Sequence, residues 1–301
     1  MTTAVLPLKF QIGARTILTI PRQLERVAWS LVDVLDGRSP PVPPLAADAD
    51  GYLFTSVPER LVAEAGRPGL TAFVRQRYRR YYTDLAAGHE TWLAGMSANA
   101  RSSLKRKRKK LAQHPDKMTI TAYRTPGELA DFQSLARPLA ALTYQERLLG
   151  SGLPDDEAFR IRTATLAADD GVRAWLMTLG ERPIAYLWCA TEGDALRYDY
   201  VGHDPAWADW SPGTVLHAAA FEQLFAEGRF KRFDFTEGEG QHKRQFATGG
   251  EPCVDLLLLR ATIANRMTLG ALRSFDGGVG ALKRVAARPG LAALAKRVRR
   301  A

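Results

Sequence analysis

Between Arg173 and Val201 apolar runs alternate with two short polar turns. Arg173–Leu179, Pro183–Ala190 and Ala195–Val201 read as strands, joined at Gly180-Glu181-Arg182 and Glu192-Gly193-Asp194. Turn residues between such runs predict an antiparallel meander. A helix is predicted before it, over Asp156–Ala168. After it, Ser211-Pro212-Gly213-Thr214 opens a second helix, because serine suits the cap and proline the first helical position. That helix runs from Pro212 to Glu227 and closes at Gly228; Arg232–Phe235 and Val254–Arg260 follow as strands. The order is that of an α/β fold.

The first half is less regular. Leu8–Ile12, Thr16–Ile20, Gly51–Thr55, Arg80–Leu85 and Met118–Tyr123 read as strands. Helices are predicted over Arg22–Leu35, Leu70–Arg79 and Glu90–Gln113, and one or two over Pro126–Leu149. In Glu90–Gln113 the apolar stripe is narrow (Leu93, Ala100, Leu104, Leu111), and Ser97 is placed to cap an internal break. Ser39-Pro40-Pro41-Val42-Pro43-Pro44 is a rigid connector.

Composition adds a folded body and a located charge. The 301 residues are 46% hydrophobic with net charge +10, enough for a large core and two modest domains. Seven cations lie between Arg101 and Lys110 and seven after Asp276, neither run containing an acid, so the remainder carries −4. Cys189 and Cys253 sit in strand-like runs without metal-ligand spacing, the pattern of two buried thiols in a reducing compartment. With no secretory signal and no spanning-length apolar run, the expected location is the cytoplasm.

Candidate chemistry gathers between Tyr198 and Phe246. A helix start such as Ser211-Pro212-Gly213-Thr214 offers unpaired N–H groups to a phosphate, and Gly213 permits close approach; a plainly capped helix reads the same way. The strand before it carries Arg197, Tyr198, Asp199 and Tyr200. Downstream, Asp234-Phe235-Thr236-Glu237-Gly238-Glu239-Gly240-Gln241-His242-Lys243 is a glycine-spaced loop whose carboxylates and imidazole can converge on a point, or simply face solvent. Acyl transfer to an amine needs a proton removed, which a carboxylate or histidine there would supply.

Three passages carry a family resemblance: YYTDLAAGHETWLAGMSANARSSLKRKRKKL, DWSPGTVLHAAAFEQLFAEG and RFDFTEGEGQHKRQFATG. The span from Tyr81 to Gly249 resembles the CelD/BcsL-like branch of the GNAT acyltransferases, related in architecture to the FemAB-like transferases. The one departure is His242, where the family usually has tyrosine before the lysine. The resemblance implies a GNAT acyl-CoA N-acyltransferase fold, in tandem. Residues 1–151 would be a degenerate half carrying the basic helix, 152–260 the donor-binding half and 261–301 basic amphipathic helices. It implies acyl-CoA as co-substrate, no permanently bound cofactor, no metal, and an amine acceptor. Ser211, Gly213 and Thr214 would face the donor pyrophosphate, and Lys243 a phosphate or the acceptor. Glu237, Glu239 and His242 are the base candidates, with His242 first because its ordinary pKa near 6.5 needs least adjustment. Asp199, with Tyr144, Glu146 and Arg147 beside the Gly150-Ser151-Gly152 turn, would touch the acceptor; the last three also read as an ordinary exposed helix end.

The basic segments suggest partners. Arg101–Lys110 lacks the interleaved aromatics of a nucleic-acid platform, so nucleic acid is disfavoured, leaving a solvated face or one set against lipid head groups or donor phosphates. In the tail, Val279, Leu282, Val285 and Ala286 form one apolar stripe and Leu291, Leu294, Ala295 and Val298 another, with a break at Arg288-Pro289-Gly290. Such helices lie at anionic membrane surfaces, although a disordered or self-docked tail has the same composition. The expectation is a peripheral membrane N-acyltransferase acting on a lipid amine such as a sphingoid base. Alternatives are an amino-sugar or cell-envelope precursor as acceptor, aminoacyl-tRNA as donor, and a catalytically silent GNAT-like binding protein.

Overall fold

A computed structural model describes residues 4–12, 15–143 and 152–286. They form two compact units, Met1–Trp29 with Gly37–Arg77 and Cys253–Ala301, and Ser30–Asp36 with Tyr78–Pro252.

In the first unit, β1 (Ala4–Ile12) pairs antiparallel with β2 (Arg15–Ala28), and β2 runs parallel to β3 (Gly51–Pro58). Next come β10 (Gly249–Arg260), antiparallel to β3, and β4 (Leu70–Asp84). Helix α8 (Ile263–Ala286) packs Leu269 and Leu272 against Leu8, Phe10, Leu24, Leu257 and Leu259. Two predicted helices are corrected here. Arg22–Leu35 is strand to Ala28, with helix only in α1 (Leu31–Asp36), and Leu70–Arg79 is strand throughout. Leu24 and Val27 fit a helical spacing as well as a strand, and strand partners on both sides of β2 decide between them. The first tail stripe begins in α8; the second lies outside the described residues.

In the second unit, the order from one edge is β5 (Met118–Tyr123), β6 (Val172–Leu179), β7 (Arg182–Glu192), β8 (Ala195–His203), β9 (Arg232–Asp234), then the end of β4. All neighbours are antiparallel except β8 and β9. The predicted meander is therefore present. Both faces are covered. Ala185, Leu187 and Cys189 of β7 face the cluster containing α2 (His89–Gly95), α3 (Ala98–Ala112) and α6 (Pro212–Glu227), while Tyr186, Trp188 and Ala190 face that of α4 (Pro126–Leu142) and α5 (Glu157–Ala168). Period-two alternation with apolar residues on both faces is what a covered strand requires.

The predicted break at Ser97 separates α2 from α3, and the Ser97 hydroxyl accepts from the Ala100 N–H at 3.2 Å. α6 ends where glycine was read as its stop, Gly228 holding φ at 64°. The loop after β9 contains a further short helix, α7 (Gln241–Phe246). Among the described residues no helix is long and apolar enough to cross a membrane.

The end of β9 is pinned electrostatically. Asp234, fully buried, accepts from Arg80 Nε at 3.1 Å and from the Thr236 N–H at 2.9 Å. Removing one partner of a buried pair strands the other charge without solvent. Arg80→Ala is therefore expected to destabilise the protein by about 3–5 kcal/mol in denaturant unfolding, and Arg80→Ala/Asp234→Asn to recover part of that loss.

Candidate active site

The site begins where a strand loses its partner. β8 and β9 pair in parallel only through Ala195–Arg232, Leu196–Phe233 and Arg197–Asp234. β8 continues to His203 while the other chain turns away at Phe235, whose N–H donates to the Tyr81 carbonyl at 3.1 Å. Tyr198 is thus the first β8 residue beyond the pairing. From it opens a cavity of about 300 Å³, lined by Tyr198, His203, Ser211, Gly213, Thr214, His217 and His242 among others. Three of the five histidines in the chain meet there.

One wall is the start of α6. Ser211 sits in the left-handed region (φ 53°, ψ 47°) and makes no side-chain cap, a conformation that costs a non-glycine residue about 1 kcal/mol or more. The serine thus precedes the helix as the sequence suggested but does not cap it. Its carbonyl accepts from the Thr214 N–H at 3.1 Å and the Val215 N–H at 3.4 Å. Pro212 has no N–H, so Gly213 carries the first-turn donor free of an intrahelical bond. A Cβ on Gly213 would come no closer than 4.0 Å to any neighbour, so the approach is open.

His217 lies one turn into α6, only 3% exposed. Its Nδ1 is 3.1 Å from the Gly213 carbonyl oxygen. A carbonyl only accepts, so Nδ1 carries the proton and Nε2 the lone pair. That Nε2 is buried without a hydrogen-bond partner, on a side chain that lines the cavity. Opposite it, His242 Nε2 and the Tyr198 hydroxyl are 3.2 Å apart, and the two imidazole centroids are 6.0 Å apart. A Cβ at Gly240 would stand 2.9 Å from His242 Cε1, so glycine there makes room for the ring.

Burial pushes His217 down to about 3, helped by His242, and His242 down to about 4, helped by the adjacent Lys243 charge. Both rings are neutral at neutral pH. Burial raises the Tyr198 phenol, which keeps its proton.

The residues proposed from sequence divide in two. Ser211, Gly213, Thr214 and His242 line the cavity; Glu237, Glu239, Lys243 and Asp199 are not among its lining residues. Lys243 turns inward, donating to the carbonyls of Phe235 at 2.7 Å and Glu237 at 2.5 Å, and burial lowers it to about 8. It ties the loop after β9 to α7. Glu239 accepts from the Arg79 N–H at 3.0 Å and from Arg244 at 2.8 Å, contacts that hold it below the usual carboxylate range. Asp199 accepts from Arg197 Nε at 2.6 Å; burial raises it against that pairing. Tyr144, Glu146 and Arg147 lie outside the described residues. Sequence reasoning missed His217 and left Tyr198 without a role. The signal was present: His217 is four residues after Gly213, on the same helix face. Among the described residues no cluster of histidine, cysteine and carboxylate side chains is arranged to hold a metal.

The second unit is thus three-layered, its sheet parting at one parallel pair beside a helix start. Comparison places it. Residues 98–244 match the model of the GNAT acetyltransferase domain. The C-terminal DUF2156 domain of an Agrobacterium fabrum protein described as a lysylphosphatidylglycerol synthetase superposes with a TM-score of 0.50 at 12% identity, covering 73% of this chain and 71% of that one. L-PGS from Bacillus licheniformis (TM-score 0.46, 12% identity, 74% and 72% covered) and FemX (0.46, 12%, 70% and 72%) are also similar in structure. No match was found among curated protein sequences. Residues 98–244 thus carry a GNAT acetyltransferase domain, which supports an N-acyltransferase enzyme.

The depressed histidines link protonation to folding. Their folded pKa values lie below the ordinary 6.5, so between about pH 6.5 and 3–4 the unfolded chain binds more protons. Stability is expected to fall as pH drops through that window, and His217→Gln/His242→Gln to flatten this part of the profile in urea unfolding. A wild-type profile already flat there would show the rings are not held neutral.

Proposed function

We propose that this enzyme takes an acyl-CoA in the cavity beside α6 and transfers the acyl group to a primary amine. The observation that carries the reading is the His217–His242 pair on the cavity wall, next to the open start of α6. The Gly213 N–H and the adjoining Ser211 and Thr214 would receive the donor pyrophosphate. The amine lone pair attacks the thioester carbonyl, forming the C–N bond; the C–S bond then breaks and the thiolate leaves. His217 Nε2, its lone pair fixed by the Gly213 contact, orients the amine N–H, and His242 takes the proton released. Nitrogen that has attacked a carbonyl is far more acidic than a free ammonium, so a weakly basic imidazole suffices for this step. Lys243 and Glu239 hold the loop that delivers His242.

On the acceptor side, Asp199 on β8 and the Tyr144, Glu146 and Arg147 segment are the residues assigned to the amine. A lipid amine such as a sphingoid base is the acceptor this reading favours, supported by the basic amphipathic tail. Residues 1–151 are read as a degenerate GNAT-like half, 152–260 as the donor-binding half and 261–301 as a basic C-terminal segment.

Purified protein given acyl-CoAs of graded chain length and a panel of amines is expected to release free thiol. His242→Ala and His217→Ala should each lower turnover by about 10²-fold or more with unchanged circular dichroism. Wild-type rates in both variants would remove the cavity from the chemistry. For the membrane, removing residues 287–301 takes away five cations, each adding about 1 kcal/mol near an anionic surface. Sedimentation with phosphatidylserine vesicles is expected to drop markedly, and unchanged sedimentation would refute the tail's role.

A further inference from the structure

The basic helix α3 carries seven cations whose surroundings differ. Arg101 donates to the Ala94 carbonyl at 3.1 Å, closing the end of α2. Arg108 pairs with Glu222 of α6, its Nη2 3.2 Å from Oε2, and fixes α3 alongside that helix. Lys105, Arg106 and Lys109 are exposed and make no ion pair among the described residues. That leaves two lysines, and both address the chain around the start of α6. Lys107, half-buried, places Nζ 3.4 Å from the Thr214 hydroxyl. Lys110 places its Nζ 3.2 Å from the Asp209 carbonyl oxygen and 4.5 Å over the Trp210 ring.

Neither lysine has a carboxylate partner among the described contacts. The acid of the adjoining loop, Asp209, meets Lys110 through its backbone carbonyl, and Glu222 is taken by Arg108. Two ammonium groups left over beside a helix start amount to more than a packing contact between helices. The cavity that Thr214 lines also contains the buried, unpartnered Nε2 of His217, an independent mark of a site awaiting a ligand. The dipole of the sixteen-residue α6, the free Gly213 N–H and the lysines each favour negative charge around the start of α6.

We infer that Lys107, seconded by Lys110, is a phosphate-binding residue, so that α3 and the start of α6 grip a phosphoanion from two sides. Lys107 is the nearer of the two and exchanges its weak contact with Thr214 for a phosphate oxygen. That the phosphate belongs to the acyl donor rests on the function proposed above; the phosphoanion site does not. The arrangement gives the enzyme a preference for donors carrying phosphates over the same thiol arm without them. It also assigns a role to the α3 side facing α6, leaving Lys105, Arg106 and Lys109 to solvent.

Isothermal titration of the full chain with coenzyme A, inorganic pyrophosphate and pantetheine separates the possibilities. Lys107→Gln is expected to weaken both coenzyme A and pyrophosphate at least tenfold and to leave pantetheine unchanged. Lys107→Arg should restore most of the loss, and Arg106→Gln on the solvent side should behave as wild type. Equal losses for pantetheine would make Lys107 a packing residue and overturn the inference. So would full affinity for coenzyme A and pyrophosphate in Lys107→Gln, or a wild type that binds neither. Binding of pyrophosphate but not coenzyme A, still dependent on Lys107, would uphold the site while refuting acyl-CoA as donor.

Discussion

Parallel pairing that stops after three residues is the constraint on which the rest of the site depends. Had β9 continued beside β8, the edge from Tyr198 to His203 would be occupied by backbone and no cavity could form. Asp234 is the last residue of that pairing. Its buried carboxylate takes the Arg80 guanidinium from β4 and the Thr236 N–H from the following turn, where the chain leaves the sheet. Thr236 has a positive φ of 58° as it does so. A buried ion pair adds little net stability over an apolar pair of the same shape. The pair sits at the point where the two strands separate, with Tyr198 the next residue on β8.

The cavity is furnished from both walls by local geometry. On one side a left-handed residue, a proline and a glycine leave a single first-turn N–H available, and one turn later the same helix supplies a histidine of fixed tautomer. On the other, Lys243 spends its charge on two loop carbonyls, which orients α7 so that its neighbour His242 meets Tyr198. The lysine is thus next to His242 in sequence but faces the loop backbone rather than the cavity. Its nearness still matters, because its charge helps to keep His242 neutral.

The second half was legible because its elements obey short-range rules: turn residues bound the β6–β7–β8 meander, and Pro212 and Gly228 bracket α6. The first half was not, because β2 and the start of β4 carry spacings compatible with either regular structure and are decided by partners far away in sequence. The cavity was half legible. Ser211, Gly213, Thr214 and His242 share motifs with local meaning. His217 sits inside an apolar helix, where a histidine reads as core, and nothing local reveals that its Nε2 lacks a partner. Lys107 was hidden differently: one among seven similar charges, it is distinguished only by what α6 brings alongside it. Lys243 shows the converse, a residue that motif reading sends to a ligand and that the fold turns toward its own backbone.

The neutral histidines line the cavity, and the two lysines of α3 meet the chain around the start of α6. His217 and Tyr198 carry no formal charge, while Lys107 and Lys110 of α3 bring two positive ones to Thr214 and to the Asp209 carbonyl. Such a site has a polarity axis built into it. On the reading proposed above, a molecule with an anionic head and an uncharged reactive end enters with its head against the lysines and its reactive end toward the imidazoles. On that reading the charge distribution orients the molecule before any close contact forms.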